Sequence, residues 1–293
     1  MYSTPLHLFL GKDSEVLIMA VIICIGGLGD CPSETFTGLK KSLENKGHTV
    51  LIPETDMVRT HKDRIALTMG EYQRIVRRLK RKELKEVPIF LLGQSAGGSA
   101  VRVVAEELSM KGDARLAGVI LLSPAMPRSW KFHWLRSGTD ATRRFLSRHW
   151  REILFGKMIN QTVMEFEARV APLAEEIRDR VLVSRQPVPG AEMRTLALWP
   201  PAIGVYLYPT LHLYGSNDSC IEPKAQAAFG RDLESMILVN GHVFVGAGHS
   251  LLGSRQRDEV IKVIVSWIET GHLGEPSFDL GGLKIWEGHG EPS

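Results

Sequence analysis

A run of apolar residues that ends at a glycine–serine–glycine turn constrains this chain more than any other feature. Residues 89–92 are all apolar, and they lead directly into Gly-Gln-Ser-Ala-Gly at 93–97. Apolar residues at helical spacing follow between 99 and 110. The sequence therefore predicts a buried strand, a sharp turn and a helix. Glycines on both sides of the serine let the strand and the helix approach closely, because neither carries a Cβ atom.

This pattern is typical of a nucleophile elbow with Ser95 at its tip. A serine hydroxyl becomes a useful nucleophile only when a neighbouring base takes its proton. We therefore expect an acid and a histidine later in the chain, in the order serine, acid, histidine. Asp218 follows the apolar stretch 210–214, and His249 follows the apolar stretch 243–245. Both lie just after a predicted strand, where parallel sheets place catalytic groups.

Other residues compete for the roles of base and acid. His212 lies inside a predicted strand, and His242 precedes one at a turn, so both are weaker candidates for the base. Asp232 and Asp56 remain alternative acids. The sequence around Asp218 is also typical of an ordinary turn.

Acyl chemistry also needs amide N–H groups that bind the oxygen on which negative charge develops. One is expected from Ala96, directly after the serine. The other is expected from the glycine-rich stretch 26–30, called the oxyanion loop below, which follows an apolar strand. We assign it to Leu28, with Gly27 as the neighbouring alternative, although the same composition would suit a simple turn. Gly27 and Gln94 are also predicted to contact the substrate.

Together these segments resemble the α/β-hydrolase family. The resemblance rests on residues 26–28, 93–97, 214–218 and 248–249, and it covers most of residues 16–270. It implies a mostly parallel central sheet with helices on both faces, and hydrolysis of esters, thioesters, amides, lactones or epoxides. It implies neither a cofactor nor a metal. The serine disfavours members with an aspartate nucleophile, and the oxyanion loop lacks the His-Gly pair that many members carry.

A long segment separates the predicted strand at 117–122 from the predicted strand at 210–214, and a simple connection would need far fewer residues. In the family that the chain resembles, a lid over the active site is inserted there, after the sixth strand of the family's standard order. The predicted organisation is a hydrolase core at 1–123 and 208–272, a helical lid at 124–207 and a surface tail at 273–293.

Aromatic residues are concentrated in the predicted lid, where we expect helices over 139–155 and 158–183. Four of the six tryptophans fall in this segment. Ligand pockets are largely apolar and aromatic, so Trp130, Trp134 and Trp150 are predicted to contact the substrate above Ser95. They would otherwise form a small core of the lid itself. Exposed apolar faces could also let the lid form a homodimer or touch a membrane surface.

Composition and charge exclude several classes of protein. The net charge of +3 is too small to imply nucleic-acid binding, and the basic segment 74–85 is predicted to be the solvated face and C-terminal end of a helix. The apolar segment 16–25 is too short to span a bilayer and lacks the features of a signal peptide. Three cysteines without metal-ligand spacing favour a reducing compartment. We therefore predict a cytoplasmic protein without stable membrane insertion.

The sequence thus predicts a serine hydrolase whose partner is an apolar small-molecule acyl substrate, most simply a carboxylic ester. A thioester, a lactone, a peptide, or acyl transfer in a cyclisation or chain-release step stays open, because pocket shape selects the leaving group. The alternative outside the enzymes is a ligand-binding protein that keeps the triad without useful catalysis.

Overall fold

The computed structural model describes residues 19–55, 57–82, 84, 86–125, 139–160, 187–198, 207–234, 239–270 and 285–286. Strands and helices alternate along these ranges. The strands are β1 (Val21–Ile25), β2 (Thr49–Leu51), β3 (Ile89–Gln94), β4 (Leu116–Leu122), β5 (Met158–Ile159), β6 (Val188–Pro189), β7 (Thr210–Gly215), β8 (Val239–Phe244) and β9 (Ile285–Trp286). The helices are α1 (Pro32–Thr35), α2 (Thr37–Glu44), α3 (His61–Arg81), α4 (Ala96–Met110), α5 (Asp140–Arg148), α6 (Trp150–Leu154), α7 (Gly190–Leu198), α8 (Pro223–Glu234) and α9 (Arg257–Thr270).

The main sheet has the strand order β2-β1-β3-β4-β7-β8-β9. All neighbouring pairs from β2 to β8 are parallel, and only β9 is antiparallel to its neighbour. Parallel neighbours need crossover connections, and helices supply them here. The predicted α/β-hydrolase fold with a mostly parallel sheet is confirmed.

Alternate residues of the central strands face two separate cores, as the two-residue period of a strand requires. On one face, Ile22 and Cys24 of β1 pack in a core with α2 and α9, where Trp267 makes an edge contact with Phe90. On the other face, Ile23 of β1 packs in a core with α3, α4 and α8. Because both faces are covered, the central strands are apolar along almost their whole length.

The strand register brings the loops of interest to one edge of the sheet. Ile25, the last residue of β1, pairs with Gly93 at the end of β3. Gly215, the last residue of β7, pairs with Phe244 at the end of β8. The loops after these four strands therefore start side by side at the carboxyl edge, where open α/β sheets bind ligands.

The segment between β4 and β7 differs from its sequence prediction. The helix predicted over 139–155 is interrupted at His149, which separates α5 from α6. The prediction of a helix over 158–183 is wrong at its start, because Met158 and Ile159 form strand β5, which pairs with β6 as a short antiparallel ribbon. The rest of that prediction lies outside the described residues. The elements of this segment share a small core made of Phe145, Leu146, Ile159, Val188 and Met193.

Two further features concern surface segments. Ile285 and Trp286 of the predicted surface tail add the antiparallel edge strand β9 beside Gly241 and His242, a contact that the prediction did not include. On α3, the exposed arginines of the basic segment lie opposite a buried face that includes Ile75. No helix in the described ranges is both long and apolar enough to cross a lipid bilayer.

Candidate active site

Ser95 lies at the turn between β3 and α4 with φ 52° and ψ −118°. A positive φ is uncommon for a residue with a side chain, and such strain persists only where surrounding structure enforces it. Two backbone hydrogen bonds do so here. The Ser95 N–H donates to the carbonyl of Leu122 at 2.9 Å, and the Ser95 carbonyl accepts from the N–H of Ala125 at 2.9 Å. The turn therefore presents a partly exposed serine in one orientation.

The glycines on either side of Ser95 are required by close backbone approach. A Cβ atom added to Gly93 would lie 2.4 Å from the carbonyl oxygen of Gly97. A Cβ atom added to Gly97 would lie 2.1 Å from the carbonyl oxygen of Ile25. Real Cβ atoms do not approach backbone so closely, so the local sequence permits this turn because both positions are glycine.

A continuous chain of hydrogen bonds joins Ser95 to a buried carboxylate. Ser95 Oγ lies 2.9 Å from His249 Nε2. On the other side of the ring, His249 Nδ1 lies 2.9 and 2.8 Å from the two carboxylate oxygens of Asp218. With the proton on Nδ1, the imidazole donates to Asp218 and accepts from the serine hydroxyl. The structure thus brings together three residues that are far apart in the sequence.

The surroundings of His249 favour its protonated form. Burial alone would lower the pKa of this histidine. The charge and hydrogen bond of Asp218 outweigh it, with a contribution from the charge of Asp30, and the pKa is raised above its ordinary value of 6.5. An imidazole in this setting can accept a proton from a serine hydroxyl, because the resulting imidazolium faces a carboxylate.

The acid loop, residues 215–221, holds the carboxylate with its own backbone. Asp218 Oδ1 accepts from the N–H groups of Cys220 at 2.8 Å and Ile221 at 2.9 Å. The loop is tied to the histidine loop as well, because the Asn217 N–H donates to the carbonyl of Ala247 at 2.9 Å. Short-range backbone donors thus hold a nearly fully buried carboxylate in one orientation.

The acid loop also contacts the start of α5. The Cys220 carbonyl accepts from Thr142 Oγ1 at 2.8 Å and from the Thr139 N–H at 3.2 Å. Thr139 Oγ1 donates in addition to the carbonyl of Ser219. The segment between β4 and β7 is therefore bonded to the loop that carries Asp218.

The oxyanion loop passes close to the serine. A Cβ atom added to Gly27 would lie 2.9 Å from Ser95 Cβ. The Gly27 N–H donates to Asp30 Oδ2 at 3.3 Å, which favours Leu28 over Gly27 as the donor to a ligand. Ala96 is the first residue of α4, so its N–H has no partner within the helix. Both predicted donors thus belong to backbone next to Ser95.

An apolar cluster lies beside these donors. The Leu28 side chain packs against the buried side chains of Ala96, Ala125 and Leu196. Leu196 belongs to α7, so this helix covers part of the serine's surroundings. Of these four side chains only that of Leu28 is partly exposed, so it is the apolar side chain of this cluster available to a ligand.

Of the other predicted contact residues, the structure describes Gln94 and Trp150. Gln94 is buried, and its Nε2 lies 3.5 Å from Ser250 Oγ, on the side of the histidine loop. Trp150 is 52% exposed, and its ring lies 5.3 Å from the Arg151 guanidinium carbon, so the structure adds no support for its contact with substrate. Trp130 and Trp134 lie outside the described residues.

The two alternative bases do not join the hydrogen-bond chain. His212 is buried in β7 and bonded to Gln226 Oε1 at 3.1 Å, and burial lowers its pKa to about 4. His242 is buried in β8, and burial lowers its pKa. Asp56 and the side chain of Asp232 lie outside the described residues.

One group among the described residues has side chains of the types that bind metal ions. Donor atoms of Asp218, Cys220 and His249 all lie within 4.8 Å of one another. Asp218 and His249 already bond to each other, and His249 also bonds to Ser95. We therefore assign no metal to this group.

Sequence reasoning missed two buried charged residues beside the oxyanion loop, and it gave no role to a third, Asp30, within the loop. Arg64 of α3 and Glu192 of α7 form a buried ion pair, and Arg64 also bonds to the Gly26 carbonyl. Asp30 accepts from Gly27 and from Thr35 Oγ1. Arg64 and Glu192 are 128 residues apart, so no local pattern could have linked them. Asp30, directly after the glycines, was visible as part of the loop.

Comparison with known proteins agrees with the fold. Residues 23–263 match the sequence model of the alpha/beta hydrolase family. No curated protein is similar enough in sequence to be matched. Among solved structures, the chain is similar to a monoacylglycerol lipase from Paleococcus ferrophilus, with 20% identity, a TM-score of 0.57, and coverage of 86% of this chain and 95% of that one.

Two esterases are similar to the same degree. A thermophilic esterase from Thermogutta terrifontis has 21% identity and a TM-score of 0.51, over 86% of this chain and 90% of that one. A thermostable carboxyl esterase from Bacillus coagulans has 17% identity and a TM-score of 0.58, over 87% of this chain and 90% of that one. At these identities the likeness establishes a shared fold. The family match covers most of the sequence, and the chain therefore belongs to the alpha/beta hydrolase family.

Proposed function

We propose that the protein is a serine hydrolase that cleaves an apolar carboxylic ester. The observation that carries the proposal is the unbroken hydrogen-bond chain from Ser95 Oγ through His249 to Asp218. A nucleophile bonded to a base that is oriented by a third group is the arrangement that activates a serine.

In the proposed reaction, Ser95 Oγ attacks the ester carbonyl and its proton passes to His249 Nε2. The carbonyl oxygen becomes negative and accepts hydrogen bonds from the amides of Leu28 and Ala96. His249 then gives the proton to the leaving alcohol, and the acyl group stays on Ser95. Water attacks this acyl-enzyme with His249 again as the base, and the acid is released. Asp218 holds the ring in one tautomer and stabilises the imidazolium that forms.

The ester class is supported by two observations. The packing beside Ser95 is apolar, with the partly exposed side chain of Leu28 packed against buried Ala125 and Leu196. The similar solved structures include a monoacylglycerol lipase and carboxyl esterases. We propose Gly27 and Gln94 as further substrate contacts, and we retain the lid tryptophans 130, 134 and 150 as candidates.

We further propose that residues 124–207 form the lid over this site, between core segments 1–123 and 208–272. The separate small core of this segment and the position of Leu196 beside Ala96 support the proposal. Exposed apolar side chains at Trp150, Leu154 and Phe155 suit a homodimer formed through the lid. Light scattering of the purified chain tests the dimer, and localisation of a tagged chain tests the proposed cytoplasmic location.

The direct test is hydrolysis of p-nitrophenyl esters from acetyl to palmitoyl by the wild type and by Ser95→Ala. We expect turnover by the wild type and a loss of at least about 10⁴-fold in the variant, because the nucleophile is gone. The preferred chain length then measures the acyl pocket. Turnover that survives Ser95→Ala would refute the assignment of the nucleophile.

Two alternatives make different predictions in the same assay. A thioesterase, lactonase or acyl-transfer enzyme would label at Ser95 with a fluorophosphonate but turn over simple esters poorly. Turnover of a thioester or lactone series would identify it. A ligand-binding protein would also be labelled, yet would turn over none of these substrates.

A further inference from the structure

Arg64 joins three separate segments next to the candidate active site. Its guanidinium donates from Nε and Nη2 to the two carboxylate oxygens of Glu192, at 2.6 and 3.0 Å. Its Nη1 donates to the carbonyl oxygen of Gly26 at 2.5 Å. The Arg64 and Glu192 side chains are only 2% and 1% exposed. One buried side chain thus connects α3, α7 and the oxyanion loop.

The ion pair alone does not explain why these residues are charged. Removing both charges from water opposes folding, and well-packed apolar residues often replace a buried ion pair without loss of stability. An apolar pair could not supply the third hydrogen bond, to the Gly26 carbonyl. That bond is therefore the feature of Arg64 that needs a functional explanation.

The Gly26–Gly27 peptide group is held at both of its polar atoms. Its carbonyl accepts from Arg64, and its N–H donates to Asp30 Oδ2. Asp30 is itself buried and accepts from Thr35 Oγ1. Glycines have unusual rotational freedom, so without these two bonds this peptide could rotate. Its orientation determines where the next amide, that of Leu28, is directed.

Helix α7 is docked so that Glu192 stays in place. The His61 N–H at the start of α3 donates to Thr195 Oγ1 at 2.8 Å. Leu196, one position further, packs against Leu28 and Ala96. The helix that supplies Glu192 thus also contacts the backbone donors beside Ser95.

We propose that Arg64, oriented by Glu192, is a positioning residue that fixes the Gly26–Gly27 peptide and thereby aims the Leu28 amide at the oxygen bound beside Ser95. This rests on the proposed function, because it assigns Leu28 to the oxyanion. The catalytic loop of the core then depends on a residue of the proposed lid.

The chain contains a matched control for this pair. Arg102 and Glu106 of α4 form a second buried ion pair, with a Nε–Oε1 distance of 2.9 Å and side chains 9% and 5% exposed. It joins two positions of one helix, and the Arg102 guanidinium lies over the Phe229 ring. Its replacement removes the same charges from the interior without touching the oxyanion loop.

The experiment compares two double variants, Arg64→Met/Glu192→Leu and Arg102→Met/Glu106→Leu. The readouts are kcat and KM on the preferred p-nitrophenyl ester, the rate of Ser95 labelling by a fluorophosphonate, and the melting temperature. We expect the first variant to lose about 10- to 100-fold in kcat, because a displacement near 1 Å in a catalytic group has such an effect. Its KM should stay within about threefold, since a misaimed oxyanion donor weakens binding of the transition state rather than the ground state. The control should keep its kcat.

Should the first double variant fail to fold, Glu192→Gln gives the milder version, because it keeps the shape of the partner and removes its charge. It should lower kcat and slow labelling with KM unchanged. Wild-type kcat in Arg64→Met/Glu192→Leu, or in Glu192→Gln where the double variant does not fold, would overturn the positioning role while leaving the proposed hydrolase intact. Equal losses in both double variants would overturn it too, since the effect would then be general destabilisation. A wild type without Ser95-dependent turnover would overturn both proposals.

Discussion

The acid loop and the oxyanion loop both follow a parallel strand, yet they are held in place by different means. In the acid loop, the Asp218 carboxylate accepts from backbone N–H groups two and three residues away. In the oxyanion loop, the Gly26 carbonyl accepts from Arg64, whose partner Glu192 lies in a distant part of the chain. The first loop orients its carboxylate with its own backbone, whereas the second depends, beyond its own Asp30, on Arg64 of α3 and through Glu192 on the segment inserted after β4. Because its support is long-range, the oxyanion loop is the part of the site whose geometry is most sensitive to substitutions elsewhere in the chain.

The largest expected effect lies in the acid loop. Asp218→Asn should lower kcat by about 10⁴-fold, because an amide favours the wrong tautomer of His249. The remaining side-chain oxygen can still accept from Cys220 and Ile221, so the melting temperature should stay close to that of the wild type. Steady-state kinetics and thermal unfolding measure the two quantities. A loss of less than about tenfold would mean that another acid orients the histidine.

A smaller effect is expected when the oxyanion loop itself is displaced. In Gly27→Ala, the new Cβ atom would meet Ser95 Cβ at 2.9 Å and the Gln94 carbonyl oxygen at 3.3 Å. The loop must shift, and kcat should fall by about 10- to 100-fold. Gly70→Ala is the control, since its Cβ meets nothing within 4 Å, and it should add about 0.5–1 kcal/mol of stability in a helix. Equal kcat in the two variants would mean that the position of the oxyanion loop does not affect the reaction.

The same contrast explains what the sequence could and could not predict. The sequence predicts Ser95, Asp218 and His249 from local patterns, because each follows an apolar strand and a short turn. The same apolar strands predict the fold. Arg64 reads locally as one more charge near the start of a helix, and Glu192 as another. Their pairing depends on how α7 docks on α3, which is a property of tertiary packing. The short ribbon formed by Met158 and Ile159 was missed for a related reason, since its apolar residues fit a helical pattern equally well.

The pH dependence links the two loops through His249. The neutral ring is the base, so activity should be lost as the pH falls through its pKa, and the midpoint should lie above the ordinary 6.5. Asp218→Asn removes the main group that raises this pKa, and Asp30→Asn removes a lesser one in the oxyanion loop. Both variants should lower the pKa, Asp218→Asn more. NMR titration of the His249 ring measures it directly, and an upward shift in either variant would contradict the electrostatic account.

The smallest effect is expected where the acid loop meets the proposed lid. Thr142→Val keeps the side-chain shape but removes the hydrogen bond from Oγ1 to the Cys220 carbonyl, which retains the Thr139 N–H as a donor. Stability should fall by about 1 kcal/mol, and kcat should stay within about twofold, because the amides that hold Asp218 are untouched. Thr142→Ser keeps the hydroxyl and should restore stability. If Thr142→Val instead lowered kcat as far as Arg64→Met/Glu192→Leu, both loops would depend on the inserted segment to the same extent. The acid loop would then not be self-supporting, and the contrast between the two loops would have to be abandoned.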